Sequence, residues 1–281
     1  MENTDLSRGS DHVIVGQRSS LKPVWWWMNI VLVPGLFGFD RLGPLEYFNG
    51  VASHLEQTFP GLHVKAATTN PLGSVAKRAD ILAQQIGLLF GPEEIHLVAH
   101  SMGGLDARFL VSHNLTVAAQ VRTIVTIATP HSGSPVATLL DRGNPLNALP
   151  GLANAFLDEL RNNLNAVDDL SEQGAALINK QCPDVPHIRY LEIAGTGRDE
   201  AMPTSLLLAP TYLFVRAKAG VNDGVVPLSS AQRDRPLFAS WAGDHNDLIG
   251  HDLNGPTPLS VPKFDYLAAY ADVIRRGINS V

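Results

Sequence analysis

The sequence predicts an α/β fold in which a mostly parallel central sheet is flanked by helices and capped by a helical insertion. Three observations predict it. Short continuous runs of apolar, β-branched residues recur along the chain, the pattern of strands buried on both faces. Segments of a dozen or so residues with helical spacing separate them, as βαβ units require. The stretch from Gly133 to Cys182 breaks this alternation with Pro, Gly and Leu/Ala-rich helical segments, as an insertion between two strands does.

Residues 1–22 show no periodicity and are expected to form a loose extension, with 23–281 as the folded domain and the insertion at about 133–182. Trp25, Trp26 and Trp27 immediately precede the first strand, and packing of one or two against the domain is their expected role. That strand is Asn29–Val33, ended by Pro34-Gly35. Phe48, Val51, Leu55 and Phe59 then follow helical spacing until Pro60-Gly61. "LHVKAATTN" reads as a strand, and Val75, Leu82, Ile86 and Leu89 as an amphipathic helix broken by Gly91-Pro92. The strands "EIHLVAH", "VRTIVTIATP", "IRYLEIAG" and "PLFASW" complete the series.

Composition narrows the function classes. A chain of 281 residues has ample length to bury a core, and 45% hydrophobic with 17% charged residues is ordinary for a globular enzyme. A net charge of -6 and the lack of any Lys/Arg run argue against a nucleic-acid partner. Cys182 is the only cysteine, so no intramolecular disulfide forms and nothing demands an oxidising compartment. The first residues are polar and acidic, without the basic and apolar regions of a secretory signal. The apolar run Val24–Val33 is too short to span a bilayer. A soluble, cytoplasmic protein with no transmembrane segment is expected.

"LVAHSMGGLDARF" (Leu97–Phe109) places Ser101 between an apolar strand and a helix, with Ala99, Gly103 and Gly104 around it. A strand-to-helix turn that pushes a serine outward needs small residues at these places, because the two backbones pass close beside it. Here Ala99 replaces the first glycine of the usual Gly-x-Ser-x-Gly. The bland alternative is a β–α turn with an incidental serine. A serine nucleophile needs a histidine base, itself oriented by a carboxylate. His245, in the loop "DHNDLIG" after a strand, is the candidate base, with His251 as its rival. His100, next to the serine, is expected to point away and pack beneath the turn. Asp223, in "GVNDGVVPLSSA", is the candidate acid; Asn-Asp-Gly alone is most often just a turn. Asp244, Asp247 and Asp252 are alternatives that crowd the histidine's own loop. For an oxyanion hole, Met102 offers the N–H after the serine. Leu36 is the expected second donor, from the loop "VLVPGLFGFD", where Pro34 has no N–H.

These blocks, with "TIATPHSGSPVA" and in this order, resemble the bacterial triacylglycerol lipases of the true-lipase group, within the α/β-hydrolase superfamily. The likeness runs from about residue 29 to 250. It implies the α/β-hydrolase fold, Ser101 as nucleophile, Asp223 as acid and His245 as base. It also implies oxyanion donors at Leu36 and Met102, and a lid in the insertion. In a lid, the apolar face of Leu146, Leu149, Leu152, Phe156 and Leu160 covers the serine and turns toward an acyl chain or lipid surface when open. In a fixed cap the same face stays buried, and periodicity does not separate the two. The family usually has His-Gly where Pro34-Gly35 stands, and Ser229 lies about where many secreted members carry a second cysteine. Many members hold a structural calcium through an aspartate two residues after the base. Asp247 matches that position, but no clear second aspartate follows: Asp199 and Glu200 are the nearest candidates, and His251 stands where glutamine is expected. No metal and no cofactor are therefore assigned.

The expected activity is that of a serine carboxylic-ester hydrolase, a lipase or esterase acting on hydrophobic acyl esters through an acyl-enzyme, with transient contact with a lipid surface through the lid. An intracellular thioesterase or polyester-oligomer depolymerase would use the same residues. A non-catalytic binding protein of this fold would usually lose one of them, and this chain keeps all.

Overall fold

The computed structural model describes residues 28–36, 38–139, 164–198, 201, 203–252 and 264–279. The expected extension at 1–22, the three tryptophans, the apolar face from Leu146 to Leu160, and Asp199 and Glu200 lie outside them. Strands β1 (Met28–Val33), β4 (Leu62–Ala66), β5 (Ile95–His100), β6 (Val121–Ile127), β7 (Arg189–Gly195) and β8 (Ala239–Trp241) form one sheet in the order β4-β1-β5-β6-β7-β8. Every neighbouring pair is parallel. A two-residue hairpin, β2 (Arg41–Leu42) and β3 (Leu45–Glu46), stands apart and gave no sequence signal.

The four inner strands β1, β5, β6 and β7 are largely buried on both faces, as their apolar runs require, whereas the edge strand β4 exposes His63 and Lys65. Successive side chains of a strand point to opposite faces. In β1, Ile30 and Leu32 join a core with α1 (Val51–Thr58) and the C-terminal helix Tyr266–Asp272. Val31 and Val33 join a second core with α2 (Val75–Phe90) and α3 (Met102–His113). All four are fully buried, each contributing about 1.5–3 kcal/mol of transfer free energy. Helix α2 starts at Ser74, whose hydroxyl accepts from the Lys77 N–H, and stops at Gly91, where φ is 58°. The left-handed backbone there favours a residue without Cβ.

Parallel strands place all their carboxyl ends on one side of the sheet. The loops after β1, β5, β7 and β8 therefore converge. Among the described residues no helix is long and apolar enough to cross a membrane.

Candidate active site

Ser101 sits between β5 and α3 with φ 55° and ψ -131°, a conformation seldom taken by a residue with a Cβ. Its surroundings hold it there. The Ser101 N–H donates to the Ile127 carbonyl at 2.8 Å, and its own carbonyl accepts from the Thr129 hydroxyl at 2.8 Å. The expected need for small neighbours is met at Gly103, where a Cβ would lie 2.6 Å from the carbonyl oxygens of Val33 and Pro34. A Cβ on Gly104 would strike Thr129.

Asp223 and His245 reach the serine from two other loops. His245 Nε2 lies 3.0 Å from Ser101 Oγ, and His245 Nδ1 lies 2.7 Å from Asp223 Oδ2. The second oxygen of Asp223 accepts from the N–H groups of Val225 and Val226, at 2.9 and 2.7 Å. Asp223 is fully buried, and its carbonyl accepts from the His245 N–H at 2.9 Å. Asp223 thus holds His245 through both backbone and ring. Gly195, at the end of β7, makes room: a Cβ there would lie 2.7 Å from that of Asp223.

The rival residues face elsewhere. His251 Nε2 donates to the carbonyls of Glu46 and Tyr47, at 2.8 and 3.1 Å. Asp244 accepts from the N–H groups of Ser205, Asn246 and Asp247. His100 is buried beside the turn. Its ring lies beside that of His245, centroids 4.5 Å apart, and its Nδ1 shares a 2.9 Å hydrogen bond with the Tyr47 hydroxyl. Burial first, and then the nearby His245, hold His100 well below the usual imidazole range, so it stays neutral there.

The loop after β1 passes close to the serine. A Cβ on Gly35 would lie 2.8 Å from Ser101 Cβ. Leu36 follows directly, and Met102 is the first residue of α3, where N–H groups have no partner within the helix. Two polar residues that no motif marks hold this loop. The Tyr47 hydroxyl accepts from the Gly35 N–H at 2.9 Å. Arg78, fully buried on α2, donates to the carbonyls of Pro34 and Gly35 at 2.9 and 2.7 Å, and to Asp106 on α3 at 2.8 Å.

The residues around Asp247 do not fit a divalent cation. Both of its carboxylate oxygens accept from the Arg198 guanidinium at 2.6 Å, so an arginine already stands at that carboxylate. Among the described residues no group of three His, Cys, Asp or Glu is arranged to hold a metal ion.

The family profile of the PGAP1-like alpha/beta domain matches residues 76–222, just over half of the chain. The chain belongs to the PGAP1-like alpha/beta domain family. The matched part of this PGAP1-like chain holds Ser101, and its last residue precedes Asp223. Relatives extend the likeness further. A triacylglycerol lipase of Pseudomonas fragi is 27% identical over 266 residues, covering 80% of this chain and 89% of its own. Triacylglycerol lipase 2 of Saccharomyces cerevisiae is 33% identical over 219 residues, covering 75% of this chain and 64% of its own. In structure, the PGAP1-like chain is similar to a metagenomic carboxyl esterase, with a TM-score of 0.71 and 21% identity over 95% of this chain and 80% of that one. The α/β-hydrolase fold and the resemblance to lipases drawn from the sequence blocks are both borne out.

Proposed function

We propose that this carboxylic-ester hydrolase cleaves hydrophobic acyl esters with Ser101 as nucleophile, His245 as base and Asp223 as the acid that orients it. The observation that carries the reading is the unbroken hydrogen-bonded series from Asp223 through His245 to Ser101, at 2.7 and 3.0 Å. In the first half-reaction Ser101 Oγ attacks the ester carbonyl carbon and His245 Nε2 takes the hydroxyl proton. The negative oxygen of the tetrahedral intermediate is received by the N–H groups of Leu36 and Met102. The C–O bond to the alcohol breaks, the alcohol leaves with the proton from His245, and an acyl-serine remains. Water repeats the sequence and releases the acid.

The insertion meets the site through its described parts. Its described ends are packed: Ala166 and Ile178 lie with Met102 and Leu105, while Ala137 and Val167 lie with Leu36. The apolar residues from Leu146 to Leu160 suit an acyl chain or a lipid surface by composition. A cytoplasmic working place fits a chain whose single cysteine, Cys182, is buried and free.

The test is hydrolysis of p-nitrophenyl esters from acetyl to palmitoyl by wild type and Ser101→Ala. Turnover is expected to rise from acetyl to about hexanoyl or octanoyl, as each buried methylene adds about 0.8 kcal/mol of binding. The serine variant should lose about 10³-fold or more in kcat. Near-wild-type turnover in that variant would remove the assignment.

A further inference from the structure

Arg198 lies just beyond the carboxyl end of β7, and its side chain is 8% exposed. Nε and Nη2 donate to Asp247 Oδ2 and Oδ1, each at 2.6 Å, in the bidentate fork by which a guanidinium matches a carboxylate. Nη2 also stands 3.4 Å from Asp252 Oδ1 and 3.7 Å from Asp244 Oδ2. One cation therefore faces three carboxylates. The hydrogen bonds to Asp247, with the charges of all three acids, raise its pKa above the ordinary arginine range.

All three acids belong to the short loop that carries His245. Asp244 precedes the histidine and Asp247 follows it by two. Within the loop, Asp247 Oδ2 accepts from the Asp244 N–H at 2.8 Å, and Asp244 Oδ1 accepts from the Asn246 and Asp247 N–H groups at 3.0 and 2.9 Å. The arginine's own backbone is fixed as well. Its N–H donates to the Pro203 carbonyl at 2.7 Å, and the Gly197 N–H donates to the Gly243 carbonyl at 3.0 Å. Three acids this close repel one another, and removing one partner from a largely buried ion pair leaves the other charge uncompensated.

We propose that Arg198 is a positioning residue for His245, a built-in cation that holds the Asp244–Asp252 loop so that the imidazole stays within reach of Ser101 Oγ. The proposal rests on the reading of Ser101, His245 and Asp223 as the reacting series. Arg198 acts through the loop and not on the substrate, so its removal lowers the rate of the chemical step and leaves substrate binding nearly as it was. A lysine keeps the charge but loses the fork, and restores only part of the effect.

The test compares wild type, Arg198→Met, Arg198→Lys and Ser101→Ala. Three quantities are measured on each: kcat and KM for p-nitrophenyl butyrate, the rate and final stoichiometry of labelling by a fluorophosphonate, and Tm. For Arg198→Met, kcat is expected to fall about 10- to 100-fold, the range that a base displaced by about 1 Å produces. KM should stay within about twofold, and labelling should slow but still reach one label per chain. Arg198→Lys should lie between this variant and wild type. Wild-type kcat in both variants overturns the proposal. So does incomplete labelling with a wild-type kcat per labelled chain, which would mean that Arg198 only keeps the protein folded. If the methionine variant does not fold, the lysine variant decides alone, by a lowered or an unchanged kcat at full labelling. Labelling of Ser101→Ala at the wild-type rate would instead remove the reading of the site, and the proposal with it. An unlabelled serine variant beside wild-type-like Arg198 variants would overturn the proposal alone.

Discussion

Tyr47 joins two parts of the site that the chain delivers from separate loops. Its hydroxyl holds the Gly35 N–H on one side and His100 Nδ1 on the other, and the His100 ring lies against His245. Tyr47→Phe keeps the edge contacts with Phe39 and Phe48 and removes only the oxygen. Two buried polar groups then lose their partner, at about 1–3 kcal/mol each. We expect Tm to fall by a few degrees and kcat by roughly tenfold, checked by calorimetry and ester hydrolysis; unchanged kcat would show that the link is idle. The two loop histidines separate in the same assay. His245→Ala should match Ser101→Ala in severity, whereas His251→Ala, which loses only its bonds to the Glu46 and Tyr47 carbonyls, should keep most activity. An exchange of these phenotypes would make His251 the base.

At the scale of elements, α2 and α3 clamp the loop after β1. Arg78 and Asp106 form a fully buried pair, and Arg78 also holds the two carbonyls before Leu36. Arg78→Met would strand Asp106, at about 3–5 kcal/mol, and free the loop. Thermal unfolding should report a marked loss of Tm, and residual folded enzyme a lower kcat; a stable, fully active variant would contradict the clamp. The described ends of the insertion pack beside Leu36 and Met102, so the rate against tributyrin concentration should rise smoothly through its solubility limit. A jump there would mean a moving lid.

These elements also show what the sequence makes legible. The inner strands are plain because burial on both faces demands nearly unbroken apolar, β-branched runs. Ser101, Asp223 and His245 are plain because their short blocks, none of them decisive alone, keep one order along the chain. Arg78 is hidden: an arginine within an amphipathic helix looks like a surface residue, and its partners lie 44 and 43 positions away in the chain. Arg198 and Tyr47 are hidden for the same reason, since their meaning comes from loops that meet only in the fold. The C-terminal helix is not among the elements expected from the sequence; in the fold Tyr270 packs between Phe48 and Trp241.

At the scale of the whole molecule, a parallel sheet gathers loops from β1, β5, β7 and β8 at one edge, and internal ion pairs hold them in register. Because Arg198 already occupies both oxygens of Asp247, treatment with EDTA should leave Tm and activity unchanged. A fall in Tm reversed specifically by calcium would show that a metal site exists elsewhere. The central claim is that the acyl group passes through Ser101, and it is open to one direct measurement. Wild type is mixed with p-nitrophenyl butyrate, quenched in acid within the first turnovers, digested and mapped by mass spectrometry. The butyryl group should be found on Ser101 and be missing from Ser101→Ala, which should also show no burst of nitrophenol. A butyryl group on another residue, or a full burst from the serine variant, would contradict the account.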